Sequence, residues 1–168
     1  AIAALSAFAL CQTPRNADWS VYNGGLDGDH YSRLTQINRA NVHRLQQTWR
    51  FDTGEIGGIQ SNPLIVNGTL YAYTPTQKVI ALDAATGKFK WKFDSGIPGT
   101  QPVRGVTYWS ETKNGVTHGR IFAGVMNFLY CLDAATGQPI ASFGEQGRVD
   151  LRKNLGRDYE TQSISLTP

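Results

Sequence analysis

One heptapeptide returns almost unaltered along this chain, and nothing else in the sequence constrains the fold as tightly. Ala81-Leu82-Asp83-Ala84-Ala85-Thr86-Gly87 comes back fifty positions later as Cys131-Leu132-Asp133-Ala134-Ala135-Thr136-Gly137. A second echo precedes it. Trp49-Arg50-Phe51-Asp52-Thr53-Gly54 is answered by Trp91-Lys92-Phe93-Asp94-Ser95-Gly96, forty-two positions on. A period of about 40–50 residues means one supersecondary unit built several times over, each copy burying its apolar face against the next.

The interior of each unit reads as strands and turns. In the first, residues 63–66 are apolar, Asn67-Gly68 is a type I′ hairpin signal, and residues 69–74 alternate. Residues 78–82 make a third strand, 83–87 a turn, and 89–93 an outer strand. Asp83 and Thr86 suit that turn because their side chains bond nearby backbone amides, and Gly87 can take positive φ. The second unit repeats the pattern with strands expected over 106–110, 120–125, 128–132 and 139–143. One short helix is expected ahead of both units, with Asn38 as N-cap, residues 39–47 as its body, and Val42 and Leu45 on one face. Short strands at this period define an all-β fold, a β-propeller of four-stranded antiparallel blades. Composition agrees: charged residues are only 17% of 168, against 18 Gly, 7 Tyr, 7 Phe and 4 Trp. A disordered chain is rich in charge and poor in aromatics, and a coiled coil needs sustained heptads; both are excluded.

The formal net charge is +3, but the 16 Lys and Arg are scattered and the one short basic group, residues 148–157, is interleaved with Asp150 and Asp158. No nucleic-acid partner is expected from such a distribution. Cys11 and Cys131 are too few for a disulfide framework, and His30, His43 and His118 lie too far apart for a zinc motif, so no metal site is expected here. The first eleven residues, Ala1 to Cys11, read as the apolar part of a signal peptide, with Ala7-Phe8-Ala9 as an A-x-A-like cleavage site. That segment is too short to span a bilayer. Residues 1–15 are therefore expected to be a partial leader, and export from a bacterial cytoplasm would place the mature protein in the periplasm. Two units cannot close a ring, so residues 16–168 are expected to be the N-terminal part of a longer propeller domain.

Several stretches carry a family resemblance. The pattern Ala81-x-Asp83-x-x-Thr86-Gly87-x-x-x-Trp91 resembles the tryptophan-docking motif of the pyrroloquinoline quinone (PQQ) dehydrogenases, in which the Trp of one blade packs on the Ala-to-Gly segment of its neighbour. The second copy departs from it, with Ala141 in place of the Trp. Asp18-Trp19-x-x-Tyr22-x-Gly24, the run Tyr31-Ser32-x-Leu34-Thr35-Gln36-Ile37-Asn38 and Arg104-Gly105-Val106-Thr107-Tyr108-Trp109 resemble further segments of the same enzymes. The likeness is greatest to the glucose and alcohol dehydrogenase-like members, which have about eight blades.

That resemblance implies a periplasmic quinoprotein dehydrogenase oxidising a sugar or an alcohol, with cytochrome c or ubiquinone as electron acceptor. It implies PQQ and Ca²⁺ as cofactors. The catalytic Asp and the calcium ligands belong to later blades of the family, so no catalytic residue is assigned to these 168 residues. Three residues are implied in cofactor binding: Arg104, where the family's Arg meets a PQQ carboxylate and the quinone edge; Gln60, where many relatives carry Glu; and Thr167, matching a hydroxyl residue. Ile97-Pro98-Gly99-Thr100 stands where methanol dehydrogenase-like members carry adjacent cysteines, which points away from that type. Thr76 occupies a loop where glucose dehydrogenases often carry His, so sugar against alcohol stays open. The alternative is a non-catalytic PQQ-repeat propeller serving as a scaffold in outer-membrane protein assembly. It would share the docking motif but has no need of Arg104-Gly105-Val106.

Overall fold

The computed structural model of the protein describes residues 18–25, 27–99, 101–156 and 158. The expected leader over residues 1–15, including Cys11, and the candidate Thr167 lie outside the described residues. Two four-stranded antiparallel sheets make up the structure. The first holds β1 (Leu64–Val66), β2 (Thr69–Tyr73), β3 (Val79–Asp83) and β4 (Phe89–Phe93) in that order. The second holds β5 (Thr107–Lys113), β6 (Val116–Val125), β7 (Phe128–Asp133) and β8 (Arg148–Asp150), likewise in chain order. The expected propeller-blade unit is thus present twice.

Local sequence explains the hairpins. Asn67 and Gly68 both have positive φ, 48° and 71°, and join β1 to β2 with Val66 opposite Thr69, as a type I′ turn requires. Asn114 and Gly115 do the same for β5 and β6, with φ of 52° and 76° and Lys113 opposite Val116. The expected strands 106–110 and 120–125 are therefore two arms of one longer hairpin, and the second Asn-Gly pair is the signal that announces it.

One core lies between the sheets. Leu64, Tyr71, Val79 and Ala81 of the first sheet meet Ile121, Ala123, Val125 and Leu132 of the second. Alternation puts Ile80 and Leu82 on the far face of β3, yet they too are buried. Segment 45–52 supplies part of that cover: Trp49 Nε1 donates to Ala84 O at 3.2 Å, and Phe51 stacks on Phe89 with ring centroids 6.2 Å apart. Trp91 repeats the arrangement one unit on. It is 7% exposed, and its Nε1 donates to Ala134 O at 3.1 Å. Trp91 is therefore buried against the neighbouring blade, as the docking motif leads one to expect.

The receiving turns are alike. Asp83 Oδ1 accepts from the Thr86 amide and hydroxyl at 2.9 and 2.7 Å, and Asp133 Oδ1 accepts from those of Thr136, both at 2.9 Å. Each turn ends on a glycine with φ near 70°, and a Cβ on Gly87 or Gly137 would lie 2.6 or 2.5 Å from the docked Trp ring. Only glycine lets the indole lie flat there.

Two expectations are corrected. The helix over residues 39–47 is absent; only a 3-10 turn at Val42–Arg44 forms. Asn38 Oδ1 accepts from the Ala40 amide and Asn41 Oδ1 from the Asn38 amide, local bonds that compete with a helical ladder. Val42 and Leu45 are 50% and 58% exposed, so no packed face repays nucleation. The strand expected over 139–143 is also not formed as such. The Asp133 and Ile140 amides bond across β7, to Gln138 O and Cys131 O, before the chain leaves in turns over 141–147. It returns as β8, where Arg148 pairs with Tyr130. The excursion lays Phe143 edge-on against Phe122, 5.7 Å between centroids, on the face turned away from the first sheet.

Candidate functional site

Chain direction sorts the loops into two ends. The heptapeptide turns and the Asn-Gly hairpins lie at one end. The segments that lead into β1 and β5, and the loop from β2 to β3, lie at the other. Gln60 sits four residues before β1 and Arg104 three before β5, so both lie where the first strand of a sheet begins. The structure joins them: the Asn62 amide donates to Arg104 O at 2.7 Å. A Cβ on Gly105 would lie 2.8 Å from Asn62 O, so the glycine after Arg104 allows this approach.

Both candidate side chains are exposed. Among the described residues, the Arg104 guanidinium has no ion-pair or hydrogen-bond partner. Beside it, Gln60, Ser61, Tyr73, Thr74 and Gln101 line a small cleft of about 60 Å³. That is space for a few waters and not for a tricyclic ligand. The Ser61 hydroxyl oxygen in the same lining is buried and has no hydrogen-bond partner among the described residues.

Behind the cleft stands a carboxylate that the sequence did not single out. Glu55 accepts from the Thr76 amide at 3.0 Å and the Thr76 hydroxyl at 2.7 Å, and Lys78 lies 3.3 Å from Glu55 and 3.2 Å from Asp94. Burial alone would raise the Glu55 carboxyl. Hydrogen bonds from Thr74, Thr76 and Lys78 outweigh it and hold the group at about 2. A carboxylate so weakly basic and so fully engaged is a strut for the 74–78 loop and a poor proton acceptor near neutral pH. Position alone could have exposed it, since Glu55 stands in the echo where Ile97 stands in the second copy. Asp83 and Asp133 belong to the opposite end, where Thr86 and Thr136 occupy them. Among the described residues no group of three His, Cys, Asp or Glu side chains could hold a metal ion. Cys131 is fully buried and unpaired, a packing residue whose thiol is pushed up by burial.

Comparison with known proteins places this architecture. The family model described as PQQ, glucose/ethanol/alcohol dehydrogenase, beta-propeller domain, matches residues 19–168. The alcohol dehydrogenase (quinone), dehydrogenase subunit, of Gluconobacter oxydans (strain 621H) is 38% identical over 126 residues, 74% of this chain and 17% of that protein. The quinoprotein glucose dehydrogenase of Escherichia coli (strain K12) is 31% identical over 160 residues, 82% of this chain and 20% of that protein. Among solved structures, the quinohemoprotein alcohol dehydrogenase from Comamonas testosteroni superimposes with a TM-score of 0.68 at 28% identity, covering 83% of this chain and 20% of that one. The chain thus spans about a fifth of the length of the relatives it matches.

Proposed function

The chain belongs to the PQQ-type glucose/ethanol/alcohol dehydrogenase β-propeller family, and from that premise we propose that residues 16–168 open the propeller of a quinoprotein dehydrogenase acting on an alcohol or a sugar. The relatives, named for alcohol and for glucose, support that substrate class. In this reading the whole protein works in the periplasm, hands electrons to cytochrome c or ubiquinone, and holds Ca²⁺ or a similar hard cation through oxygen ligands elsewhere in its chain. When bound, PQQ supplies the electron-accepting chemistry that no side chain can.

The observation that carries the reading is the rim formed by Gln60, Ser61 and Arg104. A planar tricarboxylate needs a cationic fork at its edge, and the Arg104 guanidinium is exposed and uncommitted. Gln60 and the orphaned Ser61 hydroxyl offer neutral hydrogen bonds beside it without adding charge. Thr167 is assigned to the same site by resemblance alone. These residues bind and orient; proton transfer from the substrate falls to groups in the remainder of the protein.

The test is PQQ titration of the whole apo-protein. Arg104→Ala should weaken binding roughly 30- to several-thousand-fold, the cost of losing a hydrogen-bonded charge partner at a buried contact. Arg104→Lys should recover only part, since it keeps the charge without the planar fork. An Arg104→Ala protein that melts normally and binds PQQ like the wild type would remove Arg104 from the site.

A further inference from the structure

Gln77 is unusual on three counts. It is a non-glycine residue with φ of 62°, it is 2% exposed, and its Oε1 is buried without a partner among the described residues. Each is unfavourable, and such features persist where the surroundings impose them for another gain. Among the described residues, its side-chain amide makes one bond, Nε2 to Gln101 O at 2.8 Å. Its carbonyl end presses on Gly99, where there is no room for a Cβ. Both contacts fall on the segment that crosses from β4 to Arg104.

The loop that carries Gln77 is itself immobilised from outside. Thr76 is bonded to Glu55, and Lys78 bridges Glu55 and Asp94. A tether from a fixed loop fixes what it holds. Gln101 O is anchored by Gln77, Val103 is buried in the core, and Arg104 O is anchored by the Asn62 amide. Pro102 removes further backbone freedom between those anchors.

We propose that Gln77 is a positioning residue that sets the Gln101-to-Arg104 path, and through it the direction of the Arg104 guanidinium; this rests on the reading of Arg104 as a cofactor-binding side chain. A residue that merely filled space would need neither an amide nor a left-handed backbone.

The test uses the whole protein and two readouts. In the apo-form, Gln77→Met keeps the side-chain length but removes the donor, and exchange of the Asn62 amide should rise about tenfold, as expected for the loss of one supporting hydrogen bond. Exchange of the Ala81 amide, inside the first sheet, should not change. PQQ affinity should fall about tenfold in the same variant, and on an Arg104→Ala background Gln77→Met should add no further loss. Unchanged Asn62 exchange, or losses that add, would overturn the proposal. Should Gln77→Met fail to fold, Gln77→Asn keeps an amide one carbon too short and is held to the same outcomes. If Arg104→Ala alone leaves PQQ binding intact, the cofactor reading fails, while Asn62 exchange still decides whether Gln77 holds this path.

Discussion

In the first sheet the outer strand β4 is one continuous segment, with a single register shift opposite Ala81 and Leu82, and it delivers Trp91 to the second sheet. In the second sheet the outer position is divided between residues 138–140 and β8, and no tryptophan leaves it. Both sheets nevertheless carry the same receiving turn, closed by Asp83 with Thr86 or by Asp133 with Thr136. The docking joint is therefore two separable parts, a turn that receives and an outer strand that donates. The second sheet keeps the first part and lacks the second. Trp49 shows the converse, docking on residues 84–87 from a segment that belongs to no described sheet. Where the donor is missing, the far face of the second sheet is covered by its own excursion, through Phe143 on Phe122.

The sharpest way to break this comparison is Trp91→Ala. It removes a buried indole, its bond to Ala134 O, and its ring contact with Tyr71 at 5.9 Å. A loss of about 3–5 kcal/mol is expected for emptying such a site, read as a lower urea midpoint of the whole protein. A loss under 1 kcal/mol would mean that the joint does not depend on its Trp.

A smaller effect separates two glycines of similar backbone. Gly68→Ala puts a side chain at φ of 71° in open space, and should cost about 1–2 kcal/mol in strain. Gly137→Ala adds, at φ of 73°, a Cβ 2.5 Å from the Trp91 ring, so it should cost more than Gly68→Ala by the same measurement. Equal losses would show that the receiving turn is chosen for its backbone and not for the indole.

The smallest effect is the most diagnostic of the second sheet. By spacing alone, Ala141 matches Trp91. In the structure it is exposed, in a turn outside the ladder; Cys131 instead accepts from the Ile140 amide and donates to the Gly147 carbonyl. Ala141→Trp should change stability by no more than about 0.5 kcal/mol, as for other surface substitutions. A clear gain in melting temperature would mean that the sequence spacing, and not the observed excursion, describes the outer strand.

Much of this was legible in the residues themselves. The heptapeptide echo announced stacked blades, and Asn67-Gly68 announced a hairpin, because both act through bonds between near neighbours and through glycine's freedom at positive φ. The paired Arg104 and Gln60 came from resemblance, and the reason they share a rim, the 2.7 Å bond from Asn62 to Arg104, spans two units and has no local signature. The same holds where structure and sequence pattern differ. A helix with Asn38 at its head was plausible until Val42 and Leu45 found nothing to pack against. Strand 139–143 was plausible until the chain turned Phe143 onto Phe122. Glu55 and Gln77 have no local signature, because each matters only through partners some twenty residues away. Short-range hydrogen bonding and alternation are written in the chain; which polar group is buried, and which loop is held against which, depends on what packing brings near, and only the tertiary structure decides it.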